Sequence, residues 1–228
     1  MFSNKYWLIT PLVVNLIRII KILVNIQIGL KKQVRRAYGI DEIALVPGKR
    51  TLDYELTDPS WSIGNIKREI PIIASAMDSV VDVETAVELS KLGALGVLNM
   101  EGIQTRYENP EEILNQIASV GKNEFVPLMQ KIYSEPIKEE LIIQRVNEIK
   151  KKGGIAALRG PPKAAIKFIN TLIKSKIDLF FLQGTVVSTE HLGMDGKDSL
   201  DIKNLCESLK TPVIAGNCVT YDVAQLSS

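Results

Sequence analysis

The sequence predicts an α/β fold: an incomplete parallel (β/α)8 TIM barrel with about five of the eight units present. Three observations predict it. From residue 71 onward, short apolar runs alternate with segments of helical period that carry their own start and stop signals. The apolar runs are nearly continuous, as parallel strands covered on both faces are, and do not alternate polar with apolar. Polar or small residues gather just past the ends of those runs, at Ser75 to Asp78, Asn99, Gln183 to Thr185 and Asn217, where a barrel of this kind keeps its active face.

The first strand is read at residues 71–75 (PIIAS), and its helix starts behind Asp82 as N-cap and stops at Gly93. The second strand, 94–98, leads to a helix with Asn109 as cap, Pro110 at its first position, Glu111 and Glu112 in its first turn and Gly121 after its end. A third apolar run, 125–129, leads into a helix with Ser134 and Pro136 at its start. That helix carries Ile137, Leu141, Val146 and Ile149 on one side, with Gly153 and Gly154 beyond it. This stretch reads as an inserted excursion.

The third, fourth and fifth strands follow at 155–158, 177–182 and 212–216, and Thr220 caps a last helix that has run barely two turns when the sequence ends. With right-handed crossovers, five such units match an open doubly wound sheet or most of a barrel. No Gly-rich dinucleotide fingerprint follows an early strand, and Gly93 and Gly96 read as turn and packing glycines, which favours the barrel. A closed barrel takes eight strands and about 250 residues. Stopping after the fifth leaves an apolar parallel edge open, so a longer native chain is expected.

Composition sets the bounds. With 228 residues, 46% hydrophobic and 24% charged, the chain can form one large domain with a sizeable core. Lys and Arg number 28 against 26 for Asp and Glu, and Lys31, Lys32, Arg35 and Arg36 form a basic run ahead of the β/α alternation. That gives no concentrated footprint for nucleic acid. Cys206, Cys218 and the single histidine His191 form no metal-ligand spacing and no disulfide framework, so a reducing, cytoplasmic setting is expected.

Residues 7–24 (WLITPLVVNLIRIIKILV) are apolar but interrupted by Pro11, Arg18 and Lys21. A charge near the middle of a membrane span costs about 2.5–3.5 kcal/mol on insertion scales. Asn15, Arg18, Lys21 and Asn25 recur at helical spacing, so an amphipathic helix fits better than a span, and no small-residue cleavage site follows for a secretory signal. Residues 1–25 are therefore set apart as an extension outside the fold.

Four ordered segments carry a family resemblance: RRAYGIDEIALVPGKRT (35–51), PIIASAMDSV (71–80), LGALGVLNMEG (92–102) and PVIAGNCVT (212–220). They resemble the IMP dehydrogenase and GMP reductase family. The phrases LNMEGIQTRYENP and QGTVVSTEHL resemble most closely the IMP dehydrogenase-related branch without paired CBS regulatory domains. The likeness covers residues 26–228, the N-terminal part of such a catalytic domain, and the excursion at 125–153 stands where the larger dehydrogenases insert their CBS pair.

The resemblance implies NAD-dependent oxidation of IMP to XMP in guanine nucleotide biosynthesis. In that chemistry a cysteine thiolate adds to the purine, hydride passes to NAD and the adduct is hydrolysed. Ser75 and Met77 match positions that contact the nucleotide substrate. Gln183, Gly184 and Thr185 stand on the cofactor side, where the dehydrogenases carry Asp-Ser-Ser, and Asn217 lies near the nicotinamide. A neutral Gln183 replaces the charge-assisted hydrogen bonds of an Asp. The nucleophilic cysteine and the loop for a monovalent cation (K+) are expected beyond Ser228, so this chain alone is expected to be inactive. A homo-tetramer is implied for the complete enzyme. GMP reduction with NADPH is the alternative within the fold, and a non-catalytic binding or regulatory fragment is the alternative outside it.

Several residues invite a functional reading and receive a plainer one. Cys218 lies just past a strand end but outside the family's nucleophile loop, and Cys206 sits on an amphipathic helix with Leu205 and Leu209. His191, in the loop after the fourth strand, has no acid partner in sequence. Asp78 reads as a short polar residue that satisfies backbone donors. Arg106 and Tyr107 could touch ligand or a neighbouring subunit.

Overall fold

A computed structural model describes residues 25–28, 32–35, 38–46, 48–49, 53–185, 190–192 and 199–218. The apolar segment at 7–24 and the helix read behind Thr220 lie outside the described residues. The chain divides into two compact units, Met1–Thr57 and Asp58–Ser228. The first contains an antiparallel pair, β1 (Asn25–Ile28) with β2 (Lys32–Arg35), and two short 3-10 turns at Ile40–Glu42 and Tyr54–Leu56.

The second unit opens on a hairpin, β3 (Trp61–Ile63) and β4 (Ile66–Arg68), whose turn needs the left-handed backbone of Gly64 at φ 54°. Then follow β5 (Ile73–Ala74), α1 (Val83–Lys91), β6 (Leu95–Asn99), α2 (Pro110–Ser119), α3 (Lys122–Ser134), α4 (Glu139–Lys151) and β7 (Ala157–Gly160). After these come α5 (Pro162–Lys167), α6 (Ile169–Ser175), β8 (Leu179–Gln183), an antiparallel pair β9 (Glu190–Leu192) with β10 (Ser199–Asp201), α7 (Ile202–Leu209) and β11 (Val213–Gly216).

Five strands form one parallel sheet in the order β11-β8-β7-β6-β5. Each new strand adds to the same edge. A doubly wound sheet would turn back and add strands on the other side of the first, whereas a β/α barrel grows in one direction until it closes. The fold is thus the five-strand part of a barrel, as the alternation of elements predicts.

Period-two alternation divides the strands' side chains between two cores. Leu98, Leu158, Phe180 and Leu182 face the helices and pack with Val87, Ile142, Val146, Ile149, Leu172 and Leu205. Leu95, Val97, Ala157 and Leu179 face the inner side, where Trp61, Ile63 and Ile66 of the hairpin pack against them. Trp61 Nε1 donates to the Ile70 carbonyl at 2.9 Å and fastens the hairpin to the chain entering β5. Gly96 lets β6 approach α1 closely: a Cβ there would stand 2.8 Å from the Cα of Ala86.

The cap of α1 forms as read, with Asp82 Oδ1 accepting the Thr85 N–H at 2.7 Å. Asn109 precedes α2, but its amide donates to Glu112 Oε1 and leaves the helix N–H groups alone. The excursion differs from the reading in two places. The run 125–129 is helical inside α3, Pro127 included, and α4 begins at Glu139, not at Ser134 and Pro136. Pro136 excludes the helical region for the residue before it. Glu135 is accordingly extended (φ −60°, ψ 135°) and ends α3, and the Lys138 N–H then bonds the Thr105 carbonyl before α4 can start.

Strand β7 likewise starts at Ala157, two residues later than read. The N–H groups of Ile155 and Ala156 are taken by the Ser90 hydroxyl and the Asp178 carboxylate instead of by a neighbouring strand. His191 lies in β9, in register with Leu200 of β10, and not in an open loop.

Candidate functional site at the carboxyl ends of the strands

A cavity of about 440 Å³ opens at the carboxyl ends of the five strands. Ser75, Met77, Gln183 and Asn217 all line it, so one space collects residues from both ends of the sheet and from distant parts of the chain. Gly184 is tied to the same place by its backbone: its N–H donates to the Gly216 carbonyl at 2.8 Å, and its carbonyl accepts from the Asn217 N–H at 3.2 Å. Thr185 is exposed and is not among the residues that line the cavity. The floor is apolar, formed by Val97, Phe181 and Ile214.

The loop after β5 is compact. Met77 N–H bonds the Ser75 carbonyl at 2.8 Å, and the Met77 carbonyl accepts from both Val80 and Val81, leaving the Met77 side chain 53% exposed over the cavity. Asp78 anchors this loop from behind. Its Oδ1 accepts the Ile103 N–H at 3.1 Å and its Oδ2 accepts the Tyr133 hydroxyl at 2.5 Å, the backbone-satisfying role read for it with a side-chain donor added. Burial, and then the carboxylate it donates to, push the Tyr133 hydroxyl well above the ordinary tyrosine range, so it remains a donor. Gly102 is pressed against the same carboxylate, which leaves no room there for a Cβ.

Arg106 and Tyr107 are braces within the chain. Arg106 donates from Nε to the Glu101 carbonyl and from its NH1 to the Glu135 carbonyl, and it lies over the Tyr133 ring at 5.7 Å. The Tyr107 hydroxyl donates to the Ile132 carbonyl at 3.0 Å, and burial raises its pKa. Arg145, which the sequence reading passed over, is buried in α4 and donates to the carbonyls of Gln104, Tyr107 and Glu108 and to the Glu148 carboxylate. Burial pushes Glu148 up, but the hydrogen bonds from Gln144 and Arg145, together with the Arg145 charge, outweigh it and hold the carboxyl below its usual value.

Arg159 was also missed. It occupies the third position of β7, level with Asn99 on one side and Phe181 on the other, and is the one charged side chain lining the cavity among the described residues. Its Nε donates to Gln183 Oε1 at 2.9 Å. The signal was available, since a charged residue at the carboxyl end of a barrel strand belongs to the active face. Ending the strand at Leu158 hid it.

Cys218 is exposed, with its Sγ 3.8 Å from the Ala215 carbonyl, and Cys206 is half-buried against the helix-side core. Among the described residues no group of three or more His, Cys, Asp or Glu side chains could hold a metal ion, and no helix is long and apolar enough to cross a membrane.

Residues 37–226 match the family model of the IMP dehydrogenase / GMP reductase domain. The chain belongs to this family. Among curated relatives, an uncharacterized oxidoreductase of Mycolicibacterium smegmatis is 33% identical over 204 residues, covering 87% of this chain and 54% of the relative. An uncharacterized oxidoreductase of Mycobacterium tuberculosis is 32% identical over the same shares. The inosine-5'-monophosphate dehydrogenase of Methanocaldococcus jannaschii is 34% identical over 104 residues, 46% of this chain and 20% of that enzyme.

The crystal structure of an IMP dehydrogenase/GMP reductase-like protein from Corynebacterium glutamicum superposes with a TM-score of 0.79 at 27% identity, covering 92% of this chain and 56% of that one. The chain spans about half the length of the curated oxidoreductases it matches. In this family's fold, the five-stranded sheet is a part of an α/β barrel and the cavity stands at its mouth.

Proposed function

We propose that this chain supplies the strand-end nucleotide site of a purine nucleotide oxidoreductase, and that the reaction is the NAD-dependent oxidation of IMP to XMP. The observation that carries the reading is the single cavity that gathers Ser75, Met77, Gln183 and Asn217. In it, Ser75 and Met77 form the substrate side: a hydroxyl for a ribose or base oxygen and a polarisable side chain for the face of a purine. Gln183, Gly184 and Asn217 form the cofactor side, where the backbone ladder between β8 and β11 fixes the amides in place. Thr185, beside them, belongs to the same wall in this reading.

The residues present fit a nicotinamide riboside end. The floor is apolar, two carboxamides stand at the rim, and the volume is that of a small-ligand site. NAD, when bound, supplies the hydride acceptor. What the chain itself does is orient the two ligands against one another and exclude water from the apolar floor. The nucleophilic thiol, the monovalent cation (K+), the homo-tetramer and the cytoplasmic setting belong to the same proposal, with thiol and cation carried by sequence outside these residues.

A second reading, GMP reduction with NADPH, is favoured by one feature: the cofactor wall carries a neutral Gln183 bonded to a cation, Arg159, in place of a carboxylate. The test is to supply the full-length protein with IMP and NAD, and separately with GMP and NADPH, following nicotinamide absorbance. Growth of the reduced band with the first pair supports the leading reading, and loss of it with the second supports the alternative. Silence with both, in protein that unfolds cooperatively, overturns the enzyme reading.

A further inference from the structure

The mouth of the sheet contains one formal charge that the proposed reaction does not use. Arg159 projects from the concave side of β7, two register positions below Gln183, since its register partners are Asn99 and Phe181 while Gln183 pairs with Gly216. The guanidinium is held at one corner only, by the Nε bond to Gln183 Oε1 at 2.9 Å. Among the described residues its two terminal nitrogens donate no hydrogen bond. Glu101 Oε2 lies 4.0 Å from NH1, outside hydrogen-bond reach, and the two side chains are 26% and 35% exposed, so solvent screens that pair. No carboxylate is among the residues that line the cavity. At Gly216, beside Gln183, open space stands where a side chain would be.

These facts describe a guanidinium oriented through Nε, with two terminal nitrogens that donate no hydrogen bond among the described residues, a positive charge paired only with a part-exposed carboxylate 4.0 Å away, and a place in the lining of the cavity. A guanidinium in that state matches two oxygens of one phosphoryl group in geometry and in charge. We propose that Arg159, oriented by Gln183, is a binding residue of the mouth that takes a phosphoryl group of the incoming nucleotide. The inference rests on the purine nucleotide reading of the site and deepens it. Gln183 thereby gains a second role, because a carboxylate in its place would neutralise the guanidinium, and the carboxamide orients it without doing so.

The phosphoryl group can come from the mononucleotide substrate or from the dinucleotide cofactor, and titration calorimetry on the full-length protein separates the two. The probes are IMP against inosine, GMP against guanosine, and NAD and NADP against nicotinamide riboside, each measured with wild type, Arg159→Leu and Arg159→Lys. Arg159→Leu is expected to weaken binding of a phosphorylated probe roughly tenfold or more and to change the matching nucleoside less than about twofold. Arg159→Lys is expected to recover part of the loss, as a point charge without the fork. A loss confined to IMP and GMP assigns the group to the substrate, and a loss confined to NAD or NADP assigns it to the cofactor.

Equal losses for phosphorylated and unphosphorylated probes, or none for either, in a variant that unfolds at the wild-type temperature, would overturn the role of Arg159 and leave the site reading standing. If wild type binds none of the four nucleotides, the site reading itself fails, and this inference fails with it.

Discussion

The two ends of the same five strands each carry a cavity, and the larger one is at the wrong end for chemistry. At the amino ends a cleft of about 920 Å³ is lined by Lys67, Arg68, Lys150, Ile155, Lys210 and Pro212, among others. At the carboxyl ends the space is about 440 Å³. Three polar residues of the lower cleft, Lys150, Asp178 and Thr211, are committed to holding the fold. Lys150 pairs with Asp178 at 2.9 Å and also donates to the Lys176 carbonyl. Asp178 accepts the Ala156 N–H, and the Thr211 hydroxyl donates to the Ile177 and Leu209 carbonyls. Arg68 Nε is buried without a partner among the described residues, and the exposed or part-exposed side chains of Asn65, Lys67 and Lys210 are open to solvent beside no apolar floor of the kind Val97, Phe181 and Ile214 make above.

At the upper end the terminal nitrogens of Arg159, the Ser75 hydroxyl and the Asn217 amide make no hydrogen bond among the described residues. Unspent donors and acceptors beside an apolar floor mark a binding site better than volume does. In barrels of this kind the lower face serves stability and the upper face serves catalysis.

Mutations that remove a committed group should cost stability and leave ligand discrimination alone. The largest effect is expected for Arg145→Leu, which leaves the buried Gln104 carbonyl without its donor and removes the bonds to the part-exposed Tyr107 and Glu108 carbonyls and Glu148. A loss of about 2–3 kcal/mol in denaturant unfolding is expected, and a loss below about 1 kcal/mol would show that the 100–108 segment is held by its apolar residues alone. Asp178→Ala, at the lower end, should cost about 2 kcal/mol through the freed Ala156 N–H and the lost Lys150 pair. Its ratio of nucleotide to nucleoside affinity should stay at the wild-type value, and a change in that ratio would break the division between the two ends.

Tyr133→Phe removes the hydroxyl that the Asp78 carboxylate accepts and should cost about 1–2 kcal/mol. Because Asp78 adjoins Met77, this variant should also weaken IMP a few-fold while NAD binding holds, a split that calorimetry reads directly. The smallest effect concerns pH. The folded Glu148 carboxyl titrates below its reference value of 4.5, so its contribution is present above that pH and is lost as the pH falls through the folded value. Arg145→Lys, if it folds, should flatten the acid limb of a stability–pH curve, and an unchanged limb would place the acid sensitivity elsewhere.

The architecture was legible because its signals are local. Asp82 before an apolar period, Pro110 at a first helical turn and unbroken apolar runs each carry their meaning within a few residues. Boundaries were less legible where tertiary partners decide them. Ile155 and Ala156 belong by propensity to β7, yet their N–H groups are claimed by Ser90 and Asp178 from elsewhere in the chain. The run 125–129 has the composition of a strand and becomes a helix in α3, because the sheet passes from β6 to β7 without it.

Four of the six candidate site residues line one cavity, and a fifth, Gly184, adjoins it through its backbone. Those five were found through motif position, which records where chemistry is kept in a family. Arg159 and Arg145 look alike in sequence, each a cation among apolar residues, and only their partners separate them: Arg145 has its donors filled by the chain, and among the described residues the two terminal nitrogens of Arg159 donate to none.

The most direct test of the contrast between the two ends is amide hydrogen exchange of the full-length protein with and without saturating IMP. Slowed exchange is expected at residues 75–79, 183–185 and 215–218, with no change at 64–68, 150–156 and 210–212. Protection confined to the lower set, with the upper set unchanged, would contradict that contrast.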